Sequence, residues 1–190
     1  VRFDETLFRA INGWPDALNP MFQLLSEGNK WWAVRTLLLG IIIGMVVFGK
    51  QNGRKAMLLS LLSVPIANEI CDSLKAIFQD PRPCVELSDV IIRVNKLTSF
   101  GTASSHAANM AALATVMCFL VRPYGYIWAG IAFLTGLSRI YVGVHYPAQV
   151  LLGWTVGILV GTVVVFSYRW IANRFNPTRV ELADENPEVI

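Results

Sequence analysis

The sequence predicts an all-α integral membrane protein, a bundle of about five transmembrane helices preceded by amphipathic helices lying in the interface. Three observations carry that prediction. Of 190 residues, 54% are hydrophobic and only 15% charged, against roughly 25% charged in an ordinary soluble domain. The charges are unevenly placed, and long stretches hold none. The mean hydropathy is +0.50, and the apolar residues come in runs long enough to cross a hydrocarbon core of about 30 Å.

Residues 3–26, "FDETLFRAINGWPDALNPMFQLLS", place Phe3, Leu7, Phe8 and Ile11, then Leu18, Met21, Phe22 and Leu25, at helical spacing with polar residues between. Pro15 and Pro20 interrupt the pattern. It reads as two short interfacial helices, being too polar and too broken for a span. Five apolar runs follow, at 31–49, 56–78, 104–121, 125–141 and 148–170. Lipid offers no partner to an open strand edge, so each run is expected to be a helix. Gly153, Gly157 and Gly161 recur every fourth residue on the fifth run, and Ala108, Ala111 and Ala112 lie on the third. Small residues at that spacing let helices approach closely in lipid. The expected organisation is one membrane-embedded domain over 1–190: an interfacial segment at 1–28, a bundle at 31–170 and a cytoplasmic tail at 171–190.

Lys50, Arg54 and Lys55, then Arg122, then Arg169, Arg174 and Arg179 fall on one side if five helices alternate. That side is expected to be cytoplasmic. The N-terminal segment, the 79–103 loop and the 142–147 link then face outward. The outer loop balances Asp80, Glu86 and Asp89 against Arg82, Arg93 and Lys96. A net charge of +3 with no basic cluster argues against nucleic acid. Cys71, Cys84 and Cys118 are scattered with no CxxC, so they read as small hydrophobes. The opening residues, "VRFDETLFRA", lack the pattern of a signal peptide, and the chain begins on Val.

A second set of residues is not explained by packing. Lys75, Arg82, Ser104, Ser105, His106, Ser138, Arg139 and His145 all fall at the outer membrane edge, and they include both histidines of the chain. Singly, each has an ordinary structural reading: a cation snorkels, a Ser before an apolar run caps a helix, a histidine satisfies hydrogen bonds. Jointly, they converge on one face from three hairpins, and cations facing a membrane interior mark a site. The chemistry they suit is phosphoryl transfer. Arginine forks match phosphate oxygens, the start of the third span offers free N–H groups and a positive dipole end, and two histidines divide attack on phosphorus from protonation of the leaving oxygen. No metal or other cofactor is expected, because the cations neutralise the developing charge.

These residues fall into three motifs: "KAIFQDPRP" from Lys75 to Pro83, "ASSH" at 103–106, and "SRIYVGVHYPAQ" from Ser138 to Gln149. With that order and spacing, the sequence resembles the type 2 phosphatidic acid phosphatase (PAP2) superfamily, which includes membrane lipid phosphatases and soluble vanadium haloperoxidases. The resemblance runs from about residue 60 to 165. It implies His145 as the nucleophile that forms a phosphohistidine and His106 as the general acid. It implies Lys75, Arg82, Arg139, Ser104 and the amide of Ser105 as the phosphate ligands. Two positions depart from the family pattern: Ser105 stands where Gly is usual, and Gln149 stands where Asp is usual. A Gln carbonyl can accept the second ring N–H of His145 but supplies no negative charge.

The expected function is therefore hydrolysis of a membrane lipid phosphate, without metal, on the extracytoplasmic face of a bacterial cytoplasmic membrane. Candidate substrates are undecaprenyl pyrophosphate, phosphatidylglycerol phosphate, phosphatidic acid and lipid A phosphates. The expected partners are the lipid substrate and the bilayer. The alternative is a lipid-phosphate binding or transport protein whose catalysis Gln149 has weakened.

Overall fold

The computed structural model describes residues 3–95 and 97–175. Among these the regular elements are all helical. Two short helices lead, α1 (Phe3–Asn12) and α2 (Asn19–Glu27), joined by a 3₁₀ turn at Asp16–Leu18. A second 3₁₀ turn, Gly28–Lys30, delivers the chain into α3 (Trp32–Phe48). Then come α4 (Gln51–Phe78), the single turn α5 (Pro83–Glu86), α6 (Ser105–Leu120), α7 (Arg122–Tyr141) and α8 (Pro147–Phe175).

Helices stand at all five predicted spans, with shifted ends. The "KQNGRK" link is mostly the first turns of α4, so the α3–α4 connection shrinks to Gly49 and Lys50. Arg122 already belongs to α7, leaving Val121 as the sole link from α6. Pro123 at the second position of α7 explains that start, because proline suits a first helical turn, where its missing N–H is no loss. By length and composition, Gln51–Glu86 and Pro147–Phe175 are long and apolar enough to cross a membrane. The pair Asp16–Lys30 and Trp32–Phe48, bent by 72°, makes a third candidate. Helix α6 has 16 residues, about 24 Å at about 1.5 Å per residue. The predicted tail loses its first residues to α8, which runs to Phe175. Its remainder, with Arg179, lies outside the described residues, as does Lys96.

The packing is that of a membrane bundle. Large apolar side chains point outward, among them Leu37, Leu39, Phe48, Leu62, Val163 and Phe166, each more than half exposed. The interior is built of small ones. Helix α6 sits at the centre, against α4, α7 and α8, with Ala107, Ala108, Ala111 and Ala112 buried. The glycines of α8 meet it backbone to backbone. A Cβ at Gly153, Gly157 or Gly161 would stand 2.5, 2.2 or 2.8 Å from the carbonyl oxygens of Ser104, Ala108 and Ala112. That four-residue ladder confirms the small-residue reading of both helices.

The N-terminal segment is fastened to the 79–103 loop and the end of α7. The Asn12 amide donates to the carbonyls of Ile91 and Tyr141, and its oxygen accepts from the Ile91 N–H, at 2.9, 2.9 and 3.0 Å. Arg93 donates to the carbonyls of Asn12, Tyr141 and Trp14, pairs with Asp16, and lies 4.1 Å over the Tyr141 ring. Asp4 accepts from the Ala148 N–H at 2.8 Å and so caps α8 from outside. Gly143, at φ +88°, makes the turn after α7. A Cβ there would stand 2.7 Å from the Ile91 carbonyl, so only glycine suits it.

Candidate active site

One end of the bundle gathers residues from every connection on that side. Lys75 lies in the last turn of α4, and Arg82 is the extended residue before Pro83. Ser104 is the N-cap of α6, with Ser105 and His106 in its first turn. Arg139 ends α7, His145 lies in the following link, and Gln149 is on the first turn of α8. The sequence-predicted residues therefore assemble at one place.

His145 is 2% exposed and Gln149 7%. An Arg82 guanidinium nitrogen, Nη1, is 2.7 Å from His145 Nε2. Arginine can only donate, so Nε2 accepts, and the ring proton resides on Nδ1. Nδ1 is 3.0 Å from Gln149 Oε1, which is thus its acceptor. The amide orientation is fixed independently. Gln149 Oε1 also accepts from the Tyr146 N–H at 3.2 Å, and Nε2 donates to the Pro81 carbonyl at 2.8 Å. A carboxylate at 149 has no proton to give Pro81. Burial holds the His145 pKa well below its usual value, with the charges of Arg82, Arg139 and Lys75 adding to the shift and the Gln149 hydrogen bond opposing it. The ring is neutral, with its Nε2 lone pair turned to the cations.

Arg82 is itself 4% exposed, and burial lowers its pKa from the usual arginine value. It also donates to the carbonyls of Ser99 and Val144 at 2.7 and 3.1 Å, and to Ser99 Oγ at 3.2 Å. Behind it stands Gly101, a residue sequence reasoning did not single out. A Cβ there would lie 2.8 Å from both Arg82 Cγ and Gln149 Oε1. Its signal was its place just before the second motif, in "FGTASSH".

Ser105, which stands where Gly is usual in the pattern the sequence resembles, joins a hydrogen-bonded group with Lys75 and Asp72. Ser105 Oγ is 2.6 Å from Lys75 Nζ and 3.4 Å from Asp72 Oδ1, while Lys75 pairs with Asp72 at 2.8 Å. The hydroxyl thus aims the lysine. Ser104 plays its capping role, its Oγ accepting from the Ala107 N–H at 3.5 Å, and its own N–H donates to the Gln149 carbonyl at 3.0 Å. Ser138 is turned away, donating to the Thr135 carbonyl at 2.6 Å.

Arg139 is 2% exposed and is held by a segment outside the three motifs. Its Nη1 donates to the Ser26 carbonyl at 3.1 Å, to Ser26 Oγ, and to Glu27 Oε1 at 3.5 Å. Its Nε has no partner, and neither has His106 Nε2. Buried donors and acceptors are normally satisfied; Ser60 Oγ, on α4, is a third such atom among the described residues. Among the described residues, no three of His, Cys, Asp and Glu gather as metal ligands.

Comparison with known proteins places this arrangement. A family model described as the PAP2 superfamily matches residues 55–175. A lipid A 4'-phosphatase of Porphyromonas gingivalis is 28% identical over 187 residues, 92% of this chain and 77% of that protein. The undecaprenyl-diphosphatase BcrC of Bacillus subtilis is 29% identical over 155 residues, 82% of this chain and 79% of its own. The crystal structure of Aquifex aeolicus LpxE superposes with a TM-score of 0.72 at 27% identity, covering 87% of this chain and 96% of that one.

Proposed function

The chain belongs to the PAP2 superfamily and is a phosphoric ester hydrolase of that type, and from that premise we propose that it dephosphorylates a membrane lipid through a phosphohistidine on His145. The observation that carries the reading is the bonding of that ring. Nδ1–H is committed to Gln149 Oε1, and Nε2, the unprotonated nitrogen, accepts from the Arg82 guanidinium.

The substrate phosphate takes its place among Arg82, Arg139, Lys75 and the N–H groups opening α6. It displaces the Arg82–His145 contact and satisfies Arg139 Nε. His145 Nε2 attacks phosphorus, the bond to the leaving oxygen breaks, and His106, an imidazolium once the phosphate dianion is bound beside it, gives that oxygen its Nε2 proton and is left neutral. The imidazolium half of the phosphohistidine keeps its Nδ1–H on the Gln149 carbonyl. Water then attacks phosphorus, His106 takes its proton, the N–P bond breaks, and phosphate leaves. The clustered guanidinium and ammonium groups stabilise the charge on the equatorial oxygens at each step.

Lipid as substrate is supported by the apolar girdle around the bundle and by the substrates in the relatives' names. The candidates are undecaprenyl pyrophosphate, a lipid A phosphate, phosphatidylglycerol phosphate and phosphatidic acid. The compact outer loop favours a polyprenyl or simple glycerolipid phosphate. The site faces outward from a bacterial cytoplasmic membrane, supported by the lysines and arginines at the opposite helix ends.

The test is phosphate release from these four lipids by purified protein in the presence of chelator. The expected result is turnover that His145→Ala abolishes. Phosphate binding without turnover, made catalytic by Gln149→Asp, would instead establish a binding or transport protein.

A further inference from the structure

The contact between Arg139 and the N-terminal segment carries a consequence for ligand affinity. Arg139 uses one nitrogen, Nη1, on Ser26 and Glu27, and its Nε edge is unpartnered. Ser26 is fully buried, so its hold is fixed. Glu27 differs. Its side chain is 15% exposed and reaches two cations at once: Oε1 lies 3.5 Å from Arg139 Nη1, and Oε2 pairs with Lys30, 49% exposed. The Glu27 carboxylate thus joins the most buried cation of the site to one at its rim.

We propose that Glu27 is the counter-ion of Arg139 in the resting site, competing with the substrate or product phosphate, and that Lys30 is the alternative partner that draws it away. The inference rests on the phosphate-binding role proposed for Arg139. A buried guanidinium with no counter-charge is costly, so the empty site needs Glu27. A phosphate dianion on the same guanidinium supplies that charge and repels the carboxylate, which then pairs with Lys30 alone. Glu27 therefore lowers affinity for phosphate and speeds its departure, from a position that the three motifs do not include.

The pair predicts effects of opposite sign. In detergent-purified protein, inorganic phosphate is titrated by calorimetry, or as a competitive inhibitor of lipid phosphate turnover. Glu27→Gln keeps the shape and removes the charge, and is expected to tighten phosphate binding about tenfold. Lys30→Gln leaves Glu27 with Arg139 as its only partner, and is expected to weaken binding several-fold. A merely structural role for Glu27 would make both variants weaken binding together, and that result, or no change in Glu27→Gln, overturns the proposal. Arg139→Ala separates the two levels. Loss of phosphate binding there, with no effect of Glu27→Gln, sinks the counter-ion alone. Undiminished binding in Arg139→Ala sinks the phosphate-site reading and this inference with it.

Discussion

Gln149 is bonded at both ends of its amide, to His145 and Tyr146 through the oxygen and to Pro81 through the nitrogen. The site is built for an amide. Gln149→Asp is shorter by one methylene and turns an oxygen on the Pro81 carbonyl, so its kcat/KM is expected to be no higher than that of the parent and lower by about tenfold, the effect of one lost hydrogen bond of roughly 1.4 kcal/mol. Gln149→Ala, which frees the ring as well, should fall further; steady-state assays of the two variants check both. A second residue-scale prediction concerns His145. Its lowered pKa means that the neutral ring persists as pH falls through about 6.5, where an ordinary histidine takes a proton. The unfolded chain binds that proton and the folded chain does not, so this histidine makes the fold less stable as pH drops below about 6.5. Side-chain ¹⁵N NMR is well suited, since the chain has 2 histidines. The His145 signals are expected to stay those of the Nδ1–H tautomer through that range. Much at this scale was legible beforehand: the three motifs named His106, His145, Gln149, Lys75, Arg82 and Arg139 by type and spacing. Gly101, Ser26 and Glu27 were not, because their roles come from contacts distant in sequence, and Ser26 and Glu27 sit in a stretch whose amphipathic pattern advertised only an interface.

At the scale of elements, the packing of α6 on α8 sets where the site's two helix starts stand. Gly157 is its tightest point, with backbone where a Cβ would go. Gly157→Ala is expected to push the helices apart and cost about 1–3 kcal/mol, the usual range for overpacking, read as a lowered thermal unfolding midpoint in detergent. Gly101→Ala is expected to act differently. It presses on Arg82 Cγ and the Gln149 amide, so activity falls much more than stability, and parallel unfolding and turnover measurements separate the two. The helices themselves were legible because lipid forces the backbone to bond within each apolar run. Their ends were less so. The polar "KQNGRK" reads as a loop by composition yet forms the first turns of α4, and the Pro83–Glu86 turn has no periodicity to announce it.

For the whole molecule, the N-terminal segment, the 79–103 loop, the end of α7 and the start of α8 make one cap over the bundle, tied by Asn12, Arg93 and Asp4. Such long-range ties have no sequence period, so the cap was invisible where the apolar helices were plain. The proposed orientation puts this cap outside the cell. In a background with the three cysteines replaced, Ser88→Cys is expected to react with an impermeant maleimide on intact cells and Asn52→Cys only after permeabilisation; the reverse pattern would invert the topology. Covalent catalysis by His145 is the step on which the proposed function depends, and the most direct measurement is a rapid acid-free quench of the enzyme with lipid substrate labelled at phosphorus. Label is expected on His145, stable to alkali and lost in acid, present in the parent chain and missing from His145→Ala. Turnover with no such label, or label and turnover that survive His145→Ala, would contradict it.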